Sequence, residues 1–149
     1  MRSLVFLLLL SASWAQAQAQ AKNTGGQKKV YQTTLGGVPN GSIPAERLKT
    51  VIDSALTVRD ERRKAYPVTD FRVNYFFDTR YEDEETGQTV RKRALRVRDF
   101  YDCNRLDADW VGSIRDNARK GDELLFNQIM VRLPNGKKTF VPDLRLKVE

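Results

Sequence analysis

Residues Pro67 to Phe77 alternate more cleanly than any other stretch of the chain. Phe71, Val73, Tyr75 and Phe77 fall on one side of an extended backbone, and Asp70, Arg72 and Asn74 on the other. That period of two commits the segment to a half-buried strand, which needs neighbours and a covering layer. Lys29 to Leu35 supplies β-branched and aromatic residues for another strand, stopped by Gly36-Gly37 and then Pro39-Asn40-Gly41. Leu133-Pro134-Asn135-Gly136 predicts a tight turn between an apolar segment, Glu123 to Leu133, and a closing strand with Phe140, Leu144, Leu146 and Val148 inward. Leu124, Leu125, Phe126, Ile129, Met130 and Val131 leave neither face of the first arm polar, so it reads as an interior strand covered on both sides.

Two short helices fit between the strands. Ser42 is placed to cap one over Pro44 to Leu56, where Leu48, Val51, Ile52, Ala55 and Leu56 share a face. Val58 to Lys64 then reads as a charged connector. Asp107 can cap a second helix ending near Lys120 and Gly121, with Leu106, Trp110, Ile114 and Ala118 spaced by four. This helix is expected to cover the β-strand side that holds whichever of Leu125 and Phe126 faces away from the centre, burying both. The pattern predicts an antiparallel β-sandwich of roughly seven strands with two short helices. Its core is expected from Phe71, Val73, Tyr75, Leu125, Phe126, Ile129, Val131, Phe140, Leu144 and Leu146.

The start of the chain speaks to compartment. Arg2, the apolar run Leu4 to Leu10 and the small-x-small sites ending at Ala17, Ala19 and Ala21 read as a secretory signal over residues 1–21, cleaved near Ala17 to Ala21. The run is shorter than the roughly 20 residues that cross a bilayer, so no membrane span is expected after cleavage. A location in the periplasm or outside the cell follows. Residues 22–29 form a polar tether, and the remaining 30–149 suffice for one domain. The chain carries 26 Lys and Arg against 19 Asp and Glu; losing Arg2 lowers the net charge from +7 to +6. The single Cys103 permits no internal disulfide and is expected to be buried and inert.

Chemistry is sparse. Histidine is absent, which excludes serine triads and ordinary zinc sites, and Cys103 lacks a base to activate it. No phosphate-binding or dinucleotide fingerprint occurs. No catalytic residue, metal or cofactor is therefore expected. The acidic run Asp78 to Thr89 reads as an exposed loop or hairpin tip, and Arg91, Lys92, Arg93, Arg96 and Arg98 follow it. Folded as a hairpin, the two runs would set an acidic arm against a basic one. Arg91, Lys92, Arg93 and Arg96 are the candidate interaction surface. They interleave with aliphatic residues, where single-stranded nucleic acid would need stacking aromatics, so nucleic acid is not expected as a partner. Two alternatives use the same charges: a glycan hydrolase with Glu82, Glu84 or Glu123 as acid or base, and a module binding acidic polysaccharide through the four basic residues.

Four local patterns, in order, resemble the C-terminal periplasmic β-domains of the GldM family of gliding-motility and type IX secretion proteins. They are Gly36-Gly37-Val38-Pro39-Asn40-Gly41-Ser42-Ile43, Tyr66-Pro67-Val68-Thr69-Asp70-Phe71, Gly121 to Ile129 (GDELLFNQI), and the closing Pro134-Asn135-Gly136-Lys137. The similarity spans residues 30–149. It implies a β-sandwich that docks or scaffolds another envelope protein without enzymatic activity. The chain departs from that family in carrying a signal where GldM has an inner-membrane anchor, and one domain where GldM strings several. An adaptor role is the expectation that remains.

Overall fold

A computed structural model describes residues 29–149. The expected signal at 1–21, its cleavage near Ala17 to Ala21, and all of the tether except Lys29 lie outside the described residues. The elements run β1 (Tyr31–Leu35), β2 (Gly41–Ile43), α1 (Ala45–Val51), β3 (Leu56–Asp60), β4 (Ala65–Tyr66), β5 (Val68–Glu82), β6 (Thr89–Tyr101), α2 (Ala108–Asn117), β7 (Glu123–Arg132), β8 (Lys138–Phe140) and β9 (Leu144–Val148). The protein is mainly β, and among the described residues it has the two helices expected and nine strands against the roughly seven expected.

The strands form a small sheet, β1-β3-β4, and a large one in the order β2-β9-β7-β5-β6, with β8 also pairing β7. Pairing is antiparallel except between β2 and β9. On one face of the large sheet, cross-strand partners line up as Phe71 with Phe100, Val73 with Phe126 and Leu144, and Tyr75 with Leu124 and Leu146. These residues join Leu35, Leu56, Val58 and Tyr66 of the small sheet, Leu48 of α1, Ile52 just beyond it, and Trp110 and Ile114 of α2 in one buried cluster. The small sheet and both helices thus cover the same face, a sandwich in which the opposite face of the large sheet is left open. An aromatic chain runs through the core, from Trp110 edge-on to Phe100 (6.2 Å between ring centres), stacked on Phe71 (4.9 Å), which meets Phe126 (6.2 Å).

Several sequence expectations need correction. Helix α1 stops at Val51, and Leu56, expected on the apolar face of that helix, opens strand β3, where it is buried against β1 together with Val58 of the expected connector. Ser42 lies in β2, and Pro44 occupies the helix N-cap without a side-chain bond. Asp107 does cap α2, accepting the Trp110 N–H at 3.0 Å, but that helix ends at Asn117 with Ala118 as its C-cap, ahead of Gly121.

The strand β7 is not covered on both sides. Leu124 and Phe126 are buried, as are Ile129 and Val131, while Leu125 and Met130 are only half-buried. The phase change comes from an irregularity opposite Phe71, where Gln128 takes a φ of 49° and the β5 register slips. An extra residue re-aims the strand, so two single-faced runs mimic one two-faced run in the sequence. Leu125 therefore faces the open side, and α2 lies on the same side as Phe126.

Phe140 is 65% exposed, because the expected closing strand breaks into β8 and β9 around Val141 to Asp143. Both pieces pair with β7, and Val141 takes the inward place, its N–H bonded to Ile129 O at 3.0 Å. Cys103 is half-buried at the edge of the core.

Candidate interaction surface

The long hairpin β5–β6 dominates the open side. Strand character continues past Phe77 to Glu82, so the acidic run is split: Asp78 to Glu82 is strand, and only Asp83 to Gln88 turns. Register sets Asp78 opposite Arg93, Thr79 opposite Lys92, Arg80 opposite Arg91 and Glu82 opposite Thr89. The expected acidic arm against a basic arm does not form. One opposed pair has opposite charge, Asp78 with Arg93 at 3.5 Å, and Arg80 faces a like charge. Neither Arg80 nor Arg91 makes an ion pair among the described residues.

Strand alternation then sorts the four candidate cations onto two faces. Lys92 and Arg96 share the covered side, whereas Arg91 and Arg93 share the open side. Arg96 is used internally: its guanidinium lies 4.7 Å from the centre of the Trp110 ring and donates to Ser113 Oγ at 2.8 Å. Arg98, which shares that side, pairs with Asp107, so two β6 arginines fasten the strand to α2. Arg93 donates to the Gly121 carbonyl at 3.0 Å. The four do not form one cationic patch.

The three candidate carboxylates are also separated. Glu123 stands opposite Phe76 and is bridged to Arg145 at 3.1 Å. Glu82 lies six positions along β5 from Phe76, ~20 Å at the rise of a strand, against the roughly 5 to 9.5 Å that paired glycosidase carboxyls need. Glu84 sits in the exposed tip. There Asp83 accepts the N–H groups of Glu85 and Thr86, both at 2.9 Å. The bonds with Thr86, followed by the Glu85 N–H, hold its carboxyl below the usual range. Among the described residues no group of three or more possible metal ligands gathers.

The open face brings together apolar residues that no sequence motif marks. Leu95 stands opposite Phe76, and Val97 opposite Asn74, which is itself opposite Leu125. Leu95 is 53% and Val97 46% exposed, while Phe76 and Leu125 are half-buried. Polar anchors frame this apolar strip. Arg72 grips Asp99 through two bonds, 2.6 and 3.0 Å, and Asn74 donates to Asn127 at 3.2 Å. The Arg72 guanidinium holds the Asp99 carboxyl below its ordinary range. Tyr101, 71% exposed, lies at the end of β6.

Two concavities lie elsewhere. One, about 560 Å³, is lined by Lys29, Val30, Asp60, Glu61, Arg62, Lys64 and Tyr66. Its one aspartate is already engaged, since Asp60 accepts from the Tyr66 hydroxyl and from the N–H groups of Arg62 and Lys64, each at 2.9 Å. The other, about 440 Å³, is shallow and flanks the open face beside Leu125, Arg145 and Lys147. No helix among the described residues is long and apolar enough to cross a membrane. No family model matches the chain, and no curated protein matches it.

Proposed function

We propose that the chain is an exported, non-enzymatic protein-binding module of the bacterial cell envelope. The GldM resemblance points to gliding or type IX secretion machinery as the assembly it serves, and the signal-like residues 1–21 supply the route out of the cytoplasm. The observation that carries the reading is the uncovered face of the large sheet, with Leu95, Val97, Phe76 and Leu125 flanked by the Arg72–Asp99 and Glu123–Arg145 ion pairs. Apolar surface on an otherwise polar sheet face, rimmed by charge, has the character of a protein interface. Binding of acidic polysaccharide has less support, because Arg91 and Arg93 face away from Lys92 and Arg96.

Affinity capture from envelope extract tests the proposal when wild type is compared with the double variant Leu95→Asp, Val97→Asp. Both side chains are exposed, so the variant should fold. The expected result is a discrete envelope protein retained by wild type at moderate salt and lost with the variant. Equal recovery of every protein by both would overturn the reading.

A further inference from the structure

Strand β6 is an edge. It pairs with β5 alone, over thirteen residues without a register shift, and nothing else in the large sheet lies beyond it. The phase of its hydrogen bonding follows from the tip, where the Asp83 N–H donates to Gln88 O at 2.9 Å. In an antiparallel ladder such pairs recur every second residue. Val90, Lys92, Ala94, Arg96 and Arg98 therefore direct their backbone groups at β5, and Arg91, Arg93, Leu95, Val97 and Asp99 direct theirs outward. The outward set is the same set whose side chains lie on the open face.

An edge of this length is a template for a further strand unless its side chains forbid it. Here they select. Between Thr89 and Tyr101 there are five basic residues, Arg91, Lys92, Arg93, Arg96 and Arg98, against the single acid Asp99. A second copy laid edge to edge would set this excess against itself, and like charges directly opposite one another destabilise a pairing. The stretch leading into β1 carries Lys22, Lys28 and Lys29 and no acid, so it is no better matched. The complementary occupant is acidic. We infer that the outer edge of β6 recruits an extended acidic segment of another protein as an added strand, with glutamates or aspartates toward Arg91 and Lys92 and apolar residues beside Leu95 and Val97. The acidic tip, Glu82 to Glu85, would repel the same segment, so the added strand lies along the stem. This deepens the protein-docking reading and rests on it. The main-chain bonds of the added strand give affinity, and its alternating side chains give selectivity.

The test uses the full chain and a fluorescein-labelled peptide about ten residues long, a usual strand length, with glutamates in one half and valines in the other. A lysine-for-glutamate version, polyglutamate and heparin serve as controls. Binding of the acidic peptide is expected, weakening as salt rises. Arg91→Glu should weaken it roughly three- to tenfold, in line with the loss of a cross-strand charge pair and gain of a repulsion. Leu95→Pro removes an outward N–H that β5 does not use, so the fold should survive while affinity drops roughly tenfold or more. Amide exchange at Arg93, Leu95 and Val97 should slow in the complex. That readout needs no variant. Three results would each overturn the inference. One is absence of peptide binding. Another is equal binding of polyglutamate or heparin without amide protection, which would mean attraction to any polyanion. The third is self-association by sedimentation that Leu95→Pro abolishes, which would make the occupant a second copy. If the captured envelope protein is lost with the double aspartate variant and kept with Leu95→Pro, the open face docks it and strand addition fails separately.

Discussion

Replacing Asp122 by Ala should destabilise the protein far beyond what a change in a connecting loop normally does. Asp122 is 4% exposed and follows α2 in the turn into β7. Its Oδ2 accepts the hydroxyl of Tyr75, itself 2% exposed, at 2.7 Å and the Arg119 N–H at 2.9 Å. Its backbone ties the same turn to the end of β9, since Val148 N–H donates to Asp122 O at 2.8 Å. Alanine keeps the backbone bonds and strands two donors, one of them fully enclosed. Leaving a buried donor unpaired costs about 1 to 3 kcal/mol, and the part-buried Arg119 N–H adds about 1, so a loss of about 2 to 4 kcal/mol is expected. Tyr75→Phe leaves the carboxyl oxygen with the Arg119 bond and should cost only about 1 kcal/mol. Urea unfolding of both variants and the double variant measures the coupling. Burial, and then the bond to Asp122, pushes the Tyr75 pKa far above its ordinary value of 10.0. The unfolded chain ionises first, so this stabilisation is complete below pH 10 and declines as pH rises beyond it. Tyr75→Phe should flatten that alkaline decline. A cost below about 0.5 kcal/mol for Asp122→Ala, with no coupling to Tyr75, would refute the reasoning.

Phe126→Ala should cost about 3 to 5 kcal/mol by urea unfolding, because Phe126 is fully buried at the end of the aromatic chain; a loss below about 1 kcal/mol would contradict that placement. Gly36→Ala should cost about 2 kcal/mol or more in the melting curve, since the turn holds φ at +55° and a Cβ there would stand 2.8 Å from Val51 Cβ. Asp70 is held below the ordinary carboxyl range chiefly by Lys138 Nζ at 2.7 Å, so its contribution is present above about pH 4 and lost as pH falls through the lowered folded value. Lys138→Met should reduce the acid sensitivity of stability, measured as the difference between unfolding at pH 6 and at about pH 3.

The sandwich was readable because β5 states its period in four consecutive inward residues, and because Gly36-Gly37 and Asn135-Gly136 are turn sequences with a conformational reason to be there. Leu35 and Val38 exchange backbone bonds across the two glycines at 3.0 and 2.9 Å, the two-residue hairpin that positive φ at both positions allows. What stayed hidden depends on register. β3 offers only Leu56 and Val58 as inward residues, and Leu56 fits the preceding helical spacing equally well. Charge density in Arg59 to Lys64 then disguised a paired strand as a connector. In β7 the left-handed Gln128 carries no mark in the sequence, yet it decides which half of a run of apolar residues faces inward. Asp122 carries no such mark either, since nothing local announces that Tyr75 lies within hydrogen-bond reach.

The candidate surface was half legible for a related reason. Counting residues identifies β6 as basic, but whether an arginine is structural or free depends on which side of the strand it occupies and what lies there. Arg96 and Arg98 fall on the covered side, where Trp110, Ser113 and Asp107 of the α2 region occupy them. Arg91 falls on the other side, facing Arg80. In an antiparallel ladder one parity sets both the face of a side chain and the direction of its backbone groups. A single shift of register would have turned Leu95 and Val97 into the core and sent Ala94 and Arg96 to the open face. The same shift would have moved the free backbone groups with the second pair. Because the register falls as it does, the exposed apolar pair, the uncompensated arginine and the unsatisfied strand edge coincide on one strip of the molecule, and an acidic strand meets all three at once.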